Sequence, residues 1–373
     1  HLLFDKFILK PGAPRLLDLE QNLKQRVRFT INSLGFRGEE FSRSKKRRMR
    51  VFCVGGSTTA CDCNHDEETW PAQLERSLNS RGFDVEVING GVQGWYSYQD
   101  YLRLRDEICS YEADIVLLQQ GWNEEFEYSS LSLGTKWQPA MIRNVREQHH
   151  LCCPPSRLLS NAGLLSVYMT VHALLKRLIF LRNMSFSNPN RWRVLQKSDY
   201  IGAWFDNMVS SARLALQYDI VFFNINFPSL VDLRDSQADR DTYIGSTRLT
   251  ELFAQYQAIS KERFSKVMLT TDPLIPCLDL DQRIRDLTGT ARLALFDDEM
   301  HTSPEGNRIL GEHLSDILVD NVKFRERYDN PTRRVSNLVL NTQMIDEIRS
   351  KVIYNSSDID QMIERVIGRL EST

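Results

Sequence analysis

The 373-residue chain has almost no net charge, few cysteines and histidines, no internal repeat, no low-complexity tract and no long uninterrupted apolar run. Each absence removes a class of protein. A formal charge of -2, from 47 Lys and Arg against 49 Asp and Glu, supplies no field to draw nucleic acid or an anionic membrane. Seven cysteines, scattered and odd in number, exclude a disulfide-stapled scaffold, and their spacing excludes a four-cysteine zinc site. Their use mildly favours a reducing compartment. Among the seven histidines, the adjacent His149 and His150 point in different directions on a regular backbone and make no ligand set. No metal and no cofactor are expected. The longest uncharged stretch, 158–175, approaches the length that crosses a bilayer but carries Ser160, Asn161 and His172. It reads as a buried or lid helix, with an interfacial helix over 158–181 and peripheral membrane contact as the alternative. The chain starts at His1 rather than Met, as a trimmed product would, so export or anchoring stays open. Oligomeric state is not legible.

What is present is an ordinary globular composition, 42% apolar and 26% charged, on a chain long enough for one large core with additions. Residues 1–45 read as an N-terminal extension. The basic run RSKKRR, 43–48, has no interleaved aromatics, so it reads as a solvated lead-in to a buried strand rather than a nucleic-acid patch. Short apolar runs at 49–56, 85–90, 113–121, 218–228 and 264–273 predict strands, and 291–318 predicts strand, loop and helix. Helical spacing occupies 68–81 and 98–110. Alternation of this kind predicts a three-layer α/β/α sandwich around a mainly parallel sheet. The expected main domain spans 46–325, with an insertion or lid around 125–200. Residues 326–373 read as a C-terminal helical extension without sheet.

Three strand ends carry polar loops, and ligands of such folds bind beyond the carboxyl ends of strands. Ser57, in GGSTT, follows the first strand at the start of a helix, where its hydroxyl can face a cleft beside helix N–H groups. A helix cap or phosphate-binding turn is the plainer reading of that position. No Gly-Lys pair follows for a phosphate loop, and Thr59 stands where the α/β-hydrolase nucleophile elbow has glycine. Asp298 and His301, in DDEMHTSPEGN, have the spacing for a carboxylate to orient an imidazole, although a surface or capping histidine has the same look. NGGVQG, 89–94, and GWNE, 121–124, offer backbone N–H groups and an amide for an oxyanion; glycines that merely permit tight turns are the alternative.

Together, in this order, these blocks resemble those of the SGNH hydrolases, the GDSL-like esterases and lipases. The serine block is similar to GGSTT in a variant with a second glycine in place of aspartate. The glycine block places the oxyanion glycine on Gly94, the third block places the oxyanion asparagine on Asn123, and the last block falls on Asp298 and His301. INSLGFRG, 31–38, resembles a segment ahead of the serine block in one bacterial branch. The resemblance covers about residues 49–125 and 290–318. It departs at Glu124, where the family has aspartate, and in the long 125–200 region and the C-terminal part.

The resemblance implies an SGNH/flavodoxin-like fold and a serine hydrolase. Ser57 would be the nucleophile, His301 the base and Asp298 its orienting partner. The N–H groups of Ser57 and Gly94 and the amide of Asn123 would form the oxyanion hole. Trp95 and Trp122, each adjacent to a proposed oxyanion residue, are candidate walls of the substrate cleft. An O-acyl, notably O-acetyl, esterase on a carbohydrate or small molecule is the leading expectation. A lipid esterase, an acyltransferase and an inert binding or assembly module are the alternatives.

Overall fold

A computed structural model describes residues 27–124 and 186–372, apart from 197–198, 248, 333 and 354–356. Five strands form one parallel sheet: β1 (Met49–Gly55), β2 (Val85–Asn89), β3 (Ile115–Gln119), β4 (Val221–Asn226) and β5 (Cys277–Asp279), in the order β2-β1-β3-β4-β5. Register follows from the pairs Val51–Val87, Val51–Ile115 and Ile115–Val221. Every residue of β1, β3 and β4 is buried, as expected of strands covered on both faces.

Alternate side chains of each strand enter two separate cores, because a strand turns its side chains over at every residue. Val51, Cys53, Ile115, Leu117, Val221 and Phe223 pack toward the helices Trp70–Ser80 and Pro304–Asp320. Phe52, Val54, Val116, Leu118 and Phe222 pack toward Asp199–Gln217, Glu251–Thr271 and the C-terminal Ser357–Glu371. The fold is the expected three-layer α/β/α sandwich, with flavodoxin-like strand order. In that order the chain reverses its direction of winding between β1 and β3, which opens a crevice at their carboxyl ends.

Two predicted strands are helical. Residues 264–273 belong largely to the helix Glu251–Thr271, whose Phe264, Val267, Met268 and Thr271 recur at helical spacing on one buried face. The fifth strand lies further on, at Cys277–Asp279. The run ARLALF begins in the short helix Gly289–Leu293, where buried Arg292 donates to Asp235 Oδ1 (3.3 Å) and the carbonyl of Ser229 (2.7 Å).

The basic run is absorbed by the sheet's amino-terminal edge. Lys45 binds the carboxylate of Asp114, Arg47 that of Asp84, and Arg48 the carbonyls of Tyr328 and Asp329. Upstream, Phe36 is fully buried against Phe41, Phe52 and Tyr111. After residue 325 the described residues hold helices and no strand. No described helix is long and apolar enough to cross a membrane. Of the insertion predicted around 125–200, residues 125–185, with the apolar stretch 158–181, lie outside the described residues, and residues 189–196 are helical.

Candidate active site

β1 ends in a glycine pair, and a helix of one turn, α1 (Ser57–Ala60), starts at once. Ser57 is the first helical residue, so its own N–H has no carbonyl one turn earlier to bond. A Cβ on Gly56 would lie 2.6 Å from Asn123 Nδ2 and 3.2 Å from the Trp95 carbonyl. Only glycine allows the loop after β3 to come this close to the serine turn. Thr58 and Thr59 both donate their hydroxyls to Gln119 Oε1, which ties α1 to the end of β3.

The loop after β2 supplies Gly94. Its φ of +74° is left-handed, and open space surrounds the missing side chain. Its N–H has no hydrogen-bond partner among the described residues. Asn123, after β3, donates one amide hydrogen to the Trp95 carbonyl (2.6 Å), and Gln120 donates to the same oxygen (3.0 Å). Asn123 is thereby fixed beside Gly56, and its second amide N–H has no partner among the described residues. Buried Glu124 accepts from the N–H of Ser97 (2.6 Å), the first residue of the helix Ser97–Asp106, where a carboxylate favours the positive end of the helix dipole. Burial pushes its carboxyl up to about 7, against the bonds from Ser97. The longer acid thus anchors the asparagine loop.

The third component comes from far along the chain. Residues 296–302 form a narrow loop, closed by a bridge between Phe296 and Thr302 and by the bond from Asp297 N–H to the His301 carbonyl (2.8 Å). At its tip, Asp298 Oδ1 accepts from the N–H groups of Met300 (2.9 Å) and His301 (2.7 Å). That leaves Oδ2 for His301 Nδ1, at 2.7 Å. His301 Nε2 lies 2.8 Å from Ser57 Oγ. Gln257 Nε2 (2.8 Å) and the N–H of Leu230 (3.3 Å) hold the tip through the Glu299 carbonyl.

Sequence reasoning missed Arg37. It is 4% exposed, and its guanidinium donates to the carbonyls of Ala60, Cys61 and Asn64 and to Asp66 Oδ1. These carbonyls lie at the negative end of α1 and just beyond it. Bonds of this kind to a charged group contribute about 1.5–3 kcal/mol each. The only sequence signal was the GFRG segment itself.

Of the two tryptophans, Trp95 is 6% exposed, with the Arg103 guanidinium 5.4 Å above its ring. Trp122 is half-buried and lines a small cavity between the carboxyl ends of β3 and β4, with Asn226, Lys261 and Phe264. The described residues include no cluster of metal-binding side chains.

Burial alone would push His301 below its ordinary 6.5. The hydrogen bond and charge of Asp298, with the charges of Asp62 and Glu299, outweigh burial and raise it. Burial raises Asp298, but His301 and the two loop N–H groups hold it below 3.8. A base must be unprotonated to work. If His301 is the base, kcat/KM rises with pH through an inflection above 6.5, measurable as a pH–rate profile. The stabilisation that His301 gains from Asp298 runs the other way. It is full below 6.5 and is lost as pH rises through the folded-state value.

No protein-family model matches the chain, and neither does any curated protein. Solved structures of similar course include a lipolytic protein of the G-D-S-L family from Desulfitobacterium hafniense. It is 12% identical over 72% of this chain and 99% of that one, with a TM-score of 0.39. Another G-D-S-L family member, from Veillonella parvula, is 11% identical over 73% and 100%, at 0.40. An acetylxylan esterase from Geobacillus stearothermophilus is 10% identical over 71% and 92%, at 0.37.

Proposed function

We propose that this protein is a serine ester hydrolase of the SGNH type, acting through an acyl-Ser57 intermediate. One observation carries the reading: the unbroken relay from Ser57 Oγ to His301 Nε2 (2.8 Å) and from His301 Nδ1 to Asp298 Oδ2 (2.7 Å), between residues 244 apart in sequence. It stands in the crevice where ligands of this strand order bind.

His301 takes the Ser57 proton as Oγ bonds to the ester carbonyl carbon. The N–H groups of Ser57 and Gly94 and the Asn123 amide receive the oxyanion. Collapse breaks the carbon–alkoxide bond, His301 returns the proton to the alcohol, and the acyl group stays on Ser57. Water, giving its proton to His301, then releases the acid and restores the serine. Asp298 holds His301 with Nδ1 protonated and Nε2 free to accept, and stabilises the imidazolium.

The substrate class follows from the sequence resemblance: an O-acyl, and in particular O-acetyl, ester of a carbohydrate or small molecule, with Trp122 as the aromatic wall. The test is a p-nitrophenyl ester series from acetyl to dodecanoyl. The expected profile falls steeply beyond short acyl groups. A maximum at eight carbons or more contradicts the acetyl reading and points to a lipid esterase.

A further inference from the structure

Asn64 belongs to none of the recognised blocks. It is 2% exposed and sits between the serine helix and the histidine loop. Its Nδ2 donates to Asp297 Oδ2 (3.0 Å), at one root of the loop. Its Oδ1 accepts from Asn307 Nδ2 (2.9 Å), and Asn307 Oδ1 accepts from the Thr302 hydroxyl (2.6 Å), at the other root. Its own N–H bonds back to the Cys61 carbonyl (3.0 Å), and its carbonyl accepts from Arg37 Nη2 (2.6 Å). Asn307 is fully buried.

The geometry points to Asn64 as a positioning residue that fixes the Asp298–His301 loop against the Ser57 helix. This rests on the roles proposed for Ser57, His301 and Asp298. Its amide suits the place, since it donates to a carboxylate on one side and accepts from an amide on the other. Both roots of the loop are then tied to the segment that follows α1, and Arg37 ties that segment to the N-terminal chain. The Nε2–Oγ distance is set across this joint. Displacement of a reacting group by about 1 Å costs on the order of 100-fold in rate.

The test is Asn64→Ala, read in two ways. The first is kcat and KM on the best p-nitrophenyl ester: kcat is expected to fall by about 10–100-fold, with KM within about twofold. The second is an NMR titration of 15N-labelled histidine, which needs no turnover. The imidazole of His301 should shift its pKa down toward 6.5 as its contact with Asp298 loosens. Asp62, Glu299 and Asp297 also act on His301 and remain in the variant. Because Asn64 itself holds Asp297 down, Thr302→Val, which keeps the Asn64–Asp297 bond, separates a loosened Asp298 contact from a change at Asp297. Unchanged kcat together with an unchanged His301 titration overturns the proposal. If wild type hydrolyses no ester, the hydrolase reading fails, while the titration still decides whether Asn64 positions the pair. If Asn64→Ala loses its fold, Thr302→Val, which removes only the hydroxyl donor to Asn307, decides by the same measurements.

Discussion

Ser57→Ala is expected to lower kcat/KM on the best ester by about 10⁴–10⁶-fold while leaving the fold intact. The size follows from the hydroxyl's place at the head of the relay. Its Oγ contacts His301 Nε2, and no second oxygen among the described residues stands in its place. The fold survives because the hydroxyl does no structural work. The N-cap of α1 is Gly56, and the tie between α1 and β3 is made by Thr58 and Thr59. Removing a part-exposed hydroxyl outside the core changes stability within about 0.5 kcal/mol, and Tm should move by less than about 2 °C. Parallel loss of activity and of Tm would instead make Ser57 a structural residue.

Asp298→Asn is expected to cost about 10⁴-fold in kcat, and the loop explains why so conservative a change is so damaging. Two N–H groups, of Met300 and His301, already fix which side-chain oxygen faces the backbone. An asparagine must turn its carbonyl oxygen to them, since its NH2 would meet two donors. The NH2 then occupies the place of Oδ2 and donates to His301 Nδ1. The imidazole must carry its proton on Nε2, facing Ser57 Oγ, where it can no longer accept. Loss of the carboxylate also lowers the imidazole pKa, so the acidic limb of the pH–rate profile should move down. Activity within about tenfold of wild type would mean that Asp298 is not the orienting group.

Much of this site could be read in the sequence because its residues fall at strand ends, where short apolar runs stop. Ser57, Gly94 and Asn123 each follow a buried run by a few residues, and the crevice between β1 and β3 brings the first and third of these loops together. The strands read least well lay near the C-terminal half of the sheet. VMLTT is rich in β-formers, yet its Val267, Met268 and Thr271 continue the buried face of a helix that begins thirteen residues before Phe264, and the long-range packing of that face wins over local preference. β5 has three residues, too few to show a pattern. Arg37, Asn64 and Asn307 were not legible for a different reason. Each is a single polar residue whose meaning lies in partners far along the chain, 243 residues away for the Asn64–Asn307 pair. Burial turns such residues from turn formers into joints, and only the fold reveals burial. Glu124 is intermediate: its retained carboxylate was evident, but its bond to the Ser97 N–H required the packed helix.

The most direct measurement is covalent labelling with a fluorophosphonate, followed by peptide mass spectrometry. Ser57 Oγ should displace fluoride from phosphorus, with its proton passing to His301, and give a single adduct on the peptide containing Ser57. His301→Ala should abolish it at the same reagent concentration. A folded wild-type protein that takes no label, or takes it on another residue, contradicts the assignment of Ser57 as an activated nucleophile.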